Sequence, residues 1–455
     1  VPESDRPDLF AIARRVAESA RGSEQIEAYV VRGRETDVRV FEADVESLSV
    51  SETEGMGVRV VVDGRQGYAW VGSLEADLLD ETVEEARDNA EFGEFDEANG
   101  LLAPAEVAAT HAVDLDLWRD ELFAVSTDAK VKIALAVEAA TRAADHRVRG
   151  LEDATYGDVG VEAAIVNSLG VEAFARRTAC SCFAAALAGE HSETQTGYGF
   201  SVARSPEELD VDSAARDAAD RAVRLLGATQ PRSARLPVVL DPMVTASFLA
   251  IIGGALNGES ILKGRSFFAG RDGQDVAAAN VTLIDDPTDA RAYGASTFDA
   301  EGAPTRRNAL IVDGTLRGFL HNRTSGHRAG VGTTGCAIRS GFKSAPGVGA
   351  RALSLRPGSD DHDAVIASIP DGLYVQSVSG LHSGVNTVSG DFSVGAEGLL
   401  IRDGALAGPV REITIASTLP RMLLDIVNVG ADLTWLPSNA TGMTLLIGEM
   451  SMSGR

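Results

Sequence analysis

The chain has 455 residues and a formal net charge of −26, from 41 basic and 67 acidic residues; 44% of it is hydrophobic and 24% charged. That composition excludes a disordered chain and leaves room for two globular domains. The acidic excess opposes a phosphate backbone and an anionic membrane surface, so neither nucleic acid nor membrane is an expected partner.

Three cysteines, Cys180, Cys182 and Cys336, are too few and too scattered for a disulfide framework; they fit a reducing, cytoplasmic location. Residues 1–10 show no basic segment followed by an apolar one, so no secretory signal is expected there.

In chain order, residues 8–21 carry Leu9, Ile12, Ala13 and Val16 at helical spacing. Alternating segments at 27–32, 38–41 and 47–52 predict strands. Residues 58–62 and 66–71, joined by Asp63-Gly64, predict a hairpin with a type I′ turn. A helix is expected over 75–92, a connector over 101–118 because of Pro104, and a second long helix over 119–146. Strands resume at Val148. A hairpin is expected at 163–174, and a further strand over 178–187 places Cys180 and Cys182 on one face, where they read as small buried residues. A helix over 206–226 precedes a polar stretch, 227–235, where the domain boundary falls.

Beyond it a strand at 236–240 runs into Asp241-Pro242, which opens a helix to about residue 256. Two more Asp-Gly hairpins are expected at Asp313-Gly314 and Asp403-Gly404. The Gly/Ser/Asn-rich segments 324–349 and 380–398 read as long functional loops. A late helix over 419–427 and a final strand over 443–452 complete the chain. The fold class is α+β, with an N-terminal mixed helix/sheet domain, 1–230, and a C-terminal strand-rich domain, 231–455.

No catalytic motif accompanies these elements. A His-Glu-x-x-His or His-Glu-x-x-x-His helix would set two imidazoles and a glutamate around a metal-bound water, and none of the seven histidines is followed by glutamate. His321 and His327, six apart, are loose for a metal and read as solvated or substrate-contacting loop residues. No Gly-x-Ser-x-Gly elbow occurs, and the Gly-rich segments lack a phosphate-binding context.

The C-terminal half carries a family resemblance. Its segments are Asp241-Pro242 with the helix through Phe248 and Leu249, residues 264–268 (GRSFF), 321–326 (HNRTSG), 339–348 (RSGFKSAPGV), 384–396 (GVNTVSGDFSVGA), 409–416 (PVREITIA) and 450–454 (MSMSG). Together they resemble the TldD/PmbA family. In that family a TldD-type subunit is similar to a zinc metallopeptidase with a His-Glu-x-x-x-His helix and a later cysteine ligand. A homologous TldE (PmbA)-type subunit lacks the ligands and completes the cleft. Here the corresponding helix, 245–256, holds neither His nor Glu, and 431–446 holds no cysteine, so the resemblance points to the TldE side.

The resemblance implies no metal and no catalytic residue in this chain, zinc in a TldD-like partner, a heterodimer, and a peptide or amide-linked substrate. Residues suited to hold an extended peptide, or to meet the partner, are His321, Asn322, Arg339, Ser340, Asn386, Ser389, Asp391 and Ser393. Two alternatives stay open: a regulatory protein of the gyrase-modulator type, and a homodimeric hydrolase using His321, His327 or Asp391.

Overall fold

The computed structural model describes residues 8–455. The reading of residues 1–10 as free of a signal segment therefore falls mostly outside the described residues. Helix α1 (Leu9–Ala17) begins at Asp8, whose carboxylate accepts from the backbone N–H of Phe10 at 2.9 Å. Strands β1 (Gln25–Phe41), β2 (Asp44–Val62) and β3 (Arg65–Val71) lead to helix α2 (Ala76–Glu91). After the connector come α3 (Glu121–Ala124), α4 (Thr127–Ala144), β4 (Val148–Asn167), β5 (Glu172–Ala188), β6 (Gln195–Ala203) and α5 (Val211–Val223).

The six strands form one antiparallel sheet in the order β3-β2-β1-β4-β5-β6. Ile26, Ala28 and Val30 of β1 turn one face toward α1 and α2, and farther along Val38 and Val40 meet α4 and α5 on that same face. At its N-terminal end the opposite face of β1, with Glu27 and Tyr29, turns toward the C-terminal half.

Several short expected strands are parts of long continuous ones. Residues 27–32 and 38–41 belong to a single β1, and 47–52 and 58–62 to a single β2. Strand β6 is missing from the sequence reading because its Gly197 and Gly199 resemble loop residues. A Cβ at Gly197 would stand 2.2 Å from the backbone N of Ala222, and one at Gly199 2.0 Å from the carbonyl of Ala214. These glycines let the alanine face of α5 lie directly on the strand. The expected helix over 119–146 is α3 plus α4, and that over 206–226 is a 3-10 turn, Pro206–Glu208, followed by α5.

The second half starts with β7 (Ala234–Leu240), α6 (Pro242–Ala255) and α7 (Gly258–Leu262). Short strands β8 (Leu283–Asp285), β9 (Asn308–Val312) and β10 (Thr315–Leu316) follow, then α8 (Arg323–Ala329), β11 (Ala337–Ile338), β12 (Gly347–Val348), β13 (Leu353–Leu355) and α9 (His362–Ala367). The chain closes with β14 (Asp371–Ser379), α10 (Leu381–Gly384), β15 (Asp391–Arg402), β16 (Ala405–Thr418), α11 (Leu419–Leu424), β17 (Ile426–Val429) and β18 (Leu445–Ser453).

The principal sheet runs β16-β15-β14-β7-β18-β17, and β16 also pairs with β18. That pairing closes β7, β14, β15, β16 and β18 into a ring, with β7 and β14 parallel. One face of the ring, with Val238, Leu373, Ile415 and Ile447, packs on Phe248, Leu249 and Ile252 of α6. All three expected Asp-Gly turns form, with positive φ at Asp63, Asp313 and Asp403 and at the glycine after each. The α+β class stands. The expected loop 324–349 contains all of α8 but its first residue, and 391–398 of the expected loop 380–398 is strand β15. The expected helix over 419–427 ends at Leu424, and Ile426 opens β17.

Candidate functional site

Asp241 anchors α6. Its side chain accepts from the backbone N–H of Met243 at 2.9 Å and from the Arg221 guanidinium of α5 at 2.8 Å, and Tyr374 of β14 donates to it as well. The helix thus sits where β7, β14 and α5 converge. Its buried face carries Val244, Thr245, Phe248, Leu249 and Ile252. The Thr245 hydroxyl is buried without a hydrogen-bond partner. A metal needs imidazole, thiolate or carboxylate donors on such a face, and α6 offers only hydroxyls. Among the described residues no three His, Cys, Asp or Glu side chains cluster as a metal site. The donor set of α6 does not fit zinc.

Where the first sheet meets the C-terminal half, charged side chains are buried together. Arg59 of β2 donates to Glu27 of β1 at 2.6 Å and to Glu301 at 3.0 Å. Arg339 donates to Glu27 and, at 3.0 Å, to the carbonyl of Ala300. Burial alone would push the Glu27 carboxyl up; the guanidinium groups of Arg59 and Arg339 overcome it and hold Glu27 below the usual carboxylate range. Glu301 also accepts from the backbone N–H of Arg323 at 2.7 Å, which ties α8 into the network.

Beside this network lies a pocket of about 830 Å³. Its floor is the face of β1, β4 and β5 that carries Tyr29, Ala163 and Ala175. The connector, 112–118, forms one wall along the part of β5 that β6 leaves uncovered, with Thr178 donating its N–H to the carbonyl of Leu117 at 2.9 Å. Residues 295–300 form the opposite wall, and Arg177, Arg339 and Arg351 line the interior. Arg339 stacks over the Tyr29 ring at 4.9 Å. Asp299 accepts from the backbone N–H groups of Glu301, Ala303 and Ala337 at 2.8, 3.0 and 3.1 Å. Burial first, and then the neighbouring Glu301 carboxylate, push its pKa up to about 7.

The residues singled out from sequence fall in three places. Arg339 lines the pocket, and Ser340 beside it shares a hydroxyl contact with Ser344 at 3.0 Å. His321 is buried rather than solvated, with Nδ1 3.1 Å from the Ser325 hydroxyl. Burial lowers its pKa, so the imidazole is favoured neutral. A Cβ at Gly258 would meet its ring at 2.2 Å, so the start of α7 packs directly on it. Asn322 caps α8 by accepting from the N–H of Ser325 at 2.8 Å, and His327 is exposed on that helix rather than in a loop.

Asn386 and Ser389 form a separate, exposed turn. The Asn386 side chain accepts from the N–H of Val388 at 2.8 Å, and Ser389 donates to Asp391 at 2.6 Å. Asp391 and Ser393 are not loop residues; they point outward from the start of β15. The turn is pinned to the 264–268 segment by the N–H of Phe267 donating to the carbonyl of Thr387 at 3.0 Å.

Sequence reasoning missed Glu27, Arg59, Glu301, Arg177 and Arg351. One signal was present: Arg59 interrupts the otherwise apolar run Val58, Val60, Val61, Val62 of β2, the pattern of a charge that must find a buried partner.

Three family models match in succession: PmbA/TldA metallopeptidase domain 1 at residues 26–90, the central domain at 120–226 and the C-terminal domain at 233–454. The metalloprotease PmbA of Escherichia coli O157:H7 is 26% identical over 455 residues, covering 100% of this chain and 98% of that protein. The metalloprotease PmbA homolog of Haemophilus influenzae is 25% identical over 456 residues, covering 99% and 97%. The crystal structure of TldE from Thermococcus kodakarensis superposes with a TM-score of 0.87 at 22% identity over 98% of this chain and 99% of that one, a likeness of fold. With a fold shared from end to end and its three domain models matched in order, the chain belongs to the TldD/PmbA metallopeptidase family, on its TldE-like side.

Proposed function

We propose that this chain is the metal-free, TldE-like subunit of a TldD/TldE-type zinc metallopeptidase. In this reading a homologous TldD-like partner brings the zinc, and the two chains form the cleft that holds a peptide or amide-linked substrate for hydrolysis in the cytoplasm. The observation that supports it most is α6, a helix with Thr245, Phe248 and Leu249 on its buried face and no metal donor anywhere along it. The relatives are named metalloproteases; in this reading the ligands that α6 lacks come from the partner chain. The division into an N-terminal unit, 1–230, and a C-terminal unit, 231–455, belongs to the same reading. So does a substrate- or partner-facing role for His321, Asn322, Arg339, Ser340, Asn386, Ser389, Asp391 and Ser393.

The test is native mass spectrometry with zinc analysis on the chain alone and after mixing with a TldD-type partner. A zinc-free chain that forms a 1:1 complex, with zinc and peptidase activity arriving only with the partner, supports the proposal. Stoichiometric zinc or peptide cleavage by the chain alone overturns it. Alanine at His191, His321 or His327 should leave the zinc content of the complex unchanged.

A further inference from the structure

We propose that the pocket between the first sheet and residues 295–300 binds a short peptide by its carboxylate, gripped by Arg177 and Arg351. The pocket is lined by four arginines, Arg176, Arg177, Arg339 and Arg351, and three aspartates, Asp114, Asp116 and Asp299. Arg339 is committed to Glu27, and Asp116 to Arg119 at 2.7 Å. Asp299 is occupied by three backbone N–H groups. Arg177 and Arg351 have no carboxylate within ion-pair distance among the described residues. Arg177 donates to the carbonyl of Tyr293 at 3.2 Å and Arg351 to the carbonyl of Ala337 at 3.0 Å. The Nε of Arg351 is out of water and without any hydrogen-bond partner.

An unsatisfied buried guanidinium nitrogen is costly unless something fills its place. Burial pulls the Arg351 pKa below the ordinary arginine value; Asp299 and Asp285 oppose that shift and the Arg177 charge adds to it. Burial, and then the Arg177 charge, lower the pKa of Arg204 as well. Arg351 thus feels the Asp299 and Asp285 carboxylates as well as Arg177, but neither arginine is ion-paired among the described residues. An anion entering the pocket would meet the Arg177 and Arg351 charges together and supply the ion-pair partner that both lack. A planar carboxylate matches the guanidinium fork.

The rest of the lining selects the ligand's body. Leu115, Leu117, Trp118, Phe174 and Phe298 give apolar and aromatic walls, and about 830 Å³ is the size of a site that encloses a small organic ligand. Alanines at 163, 173 and 175 keep the floor low, because larger side chains on this face would fill the space. A dianion such as phosphate is less suited, since Asp114 and Asp299 also line the cavity. The choice of a peptide as the carboxylate rests on the peptidase reading above; the site itself rests on this chain alone.

The test is calorimetric titration of the purified full chain, without partner, with three peptides. They are acetyl-Ala-Ala-Phe with a free carboxylate, the same peptide as its C-terminal amide, and acetyl-Ala-Glu-Phe amide. The free acid should bind, and the neutral amide should bind about tenfold or more weakly. If the glutamyl amide matches the free acid, a side-chain carboxylate suffices; if only the free acid binds, the pocket reads a chain terminus. Both results support the site.

Arg177→Gln, which removes one hydrogen bond to a backbone carbonyl, and Ala175→Leu, which keeps every charge but fills the floor, should each weaken binding about tenfold or more. Their unfolding temperatures show that the fold is kept. Equal binding of acid and neutral amide, full affinity in folded Arg177→Gln, or no binding of any peptide at millimolar concentration overturns the inference. None of these results bears on whether zinc arrives with a partner, so the two proposals fail separately.

Discussion

Arg59 of the first sheet donates to Glu301 of the C-terminal half at 3.0 Å, with side-chain exposures of 2% and 0%. Two residues 242 positions apart thus share one buried ion network with Glu27 and Arg339. Removing one member leaves the others charged and out of water, which costs more than the pair contributes. Arg59→Met should lower stability by about 3–5 kcal/mol in urea unfolding. A loss below about 1 kcal/mol, the scale of an exposed pair, would show that water reaches this network.

Asp241 should separate capping from pairing. Asp241→Ala removes the acceptor at the start of α6 and leaves Arg221 without its carboxylate, at a cost of about 3 kcal/mol or more. Asparagine keeps an acceptor for the Met243 N–H, so Asp241→Asn should cost less than alanine. The ordering is read from denaturant midpoints, and equal losses would assign the whole effect to the ion pair.

The Asp299 carboxyl gives a pH signature. Its folded pKa, about 7, lies above the 3.8 of a free aspartate. Burial, and then Glu301, raise it, while the N–H groups of Glu301 and Ala337 and the Arg351 charge lower it. The native state therefore holds the proton more tightly than the unfolded chain does. Stability from this group is fully present below the unfolded pKa and is lost as pH rises toward the folded one, by up to about 1.4 kcal/mol per pH unit. Asp299→Asn carries a constant offset but no such slope. The variant should gain on the wild type between about pH 4 and pH 7 and run parallel to it above that. A difference that is flat across the range would refute the assignment.

The three thiols should resist modification. Cys180, Cys182 and Cys336 are all buried. Burial pushes the Cys180 thiol up to about 12 and the Cys182 thiol up to about 11, and it raises Cys336 as well, with Asp285 adding to that shift. Thiolate is the reactive form, so iodoacetamide at neutral pH should label none of them in the native chain and all three after unfolding, as read by intact mass.

What the sequence determined by itself was local and repetitive: helix periodicity, Asp-Gly turns with positive φ, the cap at Asp241, and a run of C-terminal motifs with a family signature. These need only neighbouring residues. The tertiary structure decided what depends on distance along the chain. It joined 27–32 to 38–41 in one strand, because β2 and β4 pair with β1 across the gap. It revealed β6, whose glycines make sense only under the alanines of α5. It moved Asp391 and Ser393 from a loop onto β15 and buried His321 beneath α7. The motif residue Arg339 was legible; its partner Glu27, 312 positions away, was not. A buried ion network and an arginine-lined pocket arise where the first sheet meets segments of the C-terminal half, and no periodicity in one segment encodes the charge that another segment will supply.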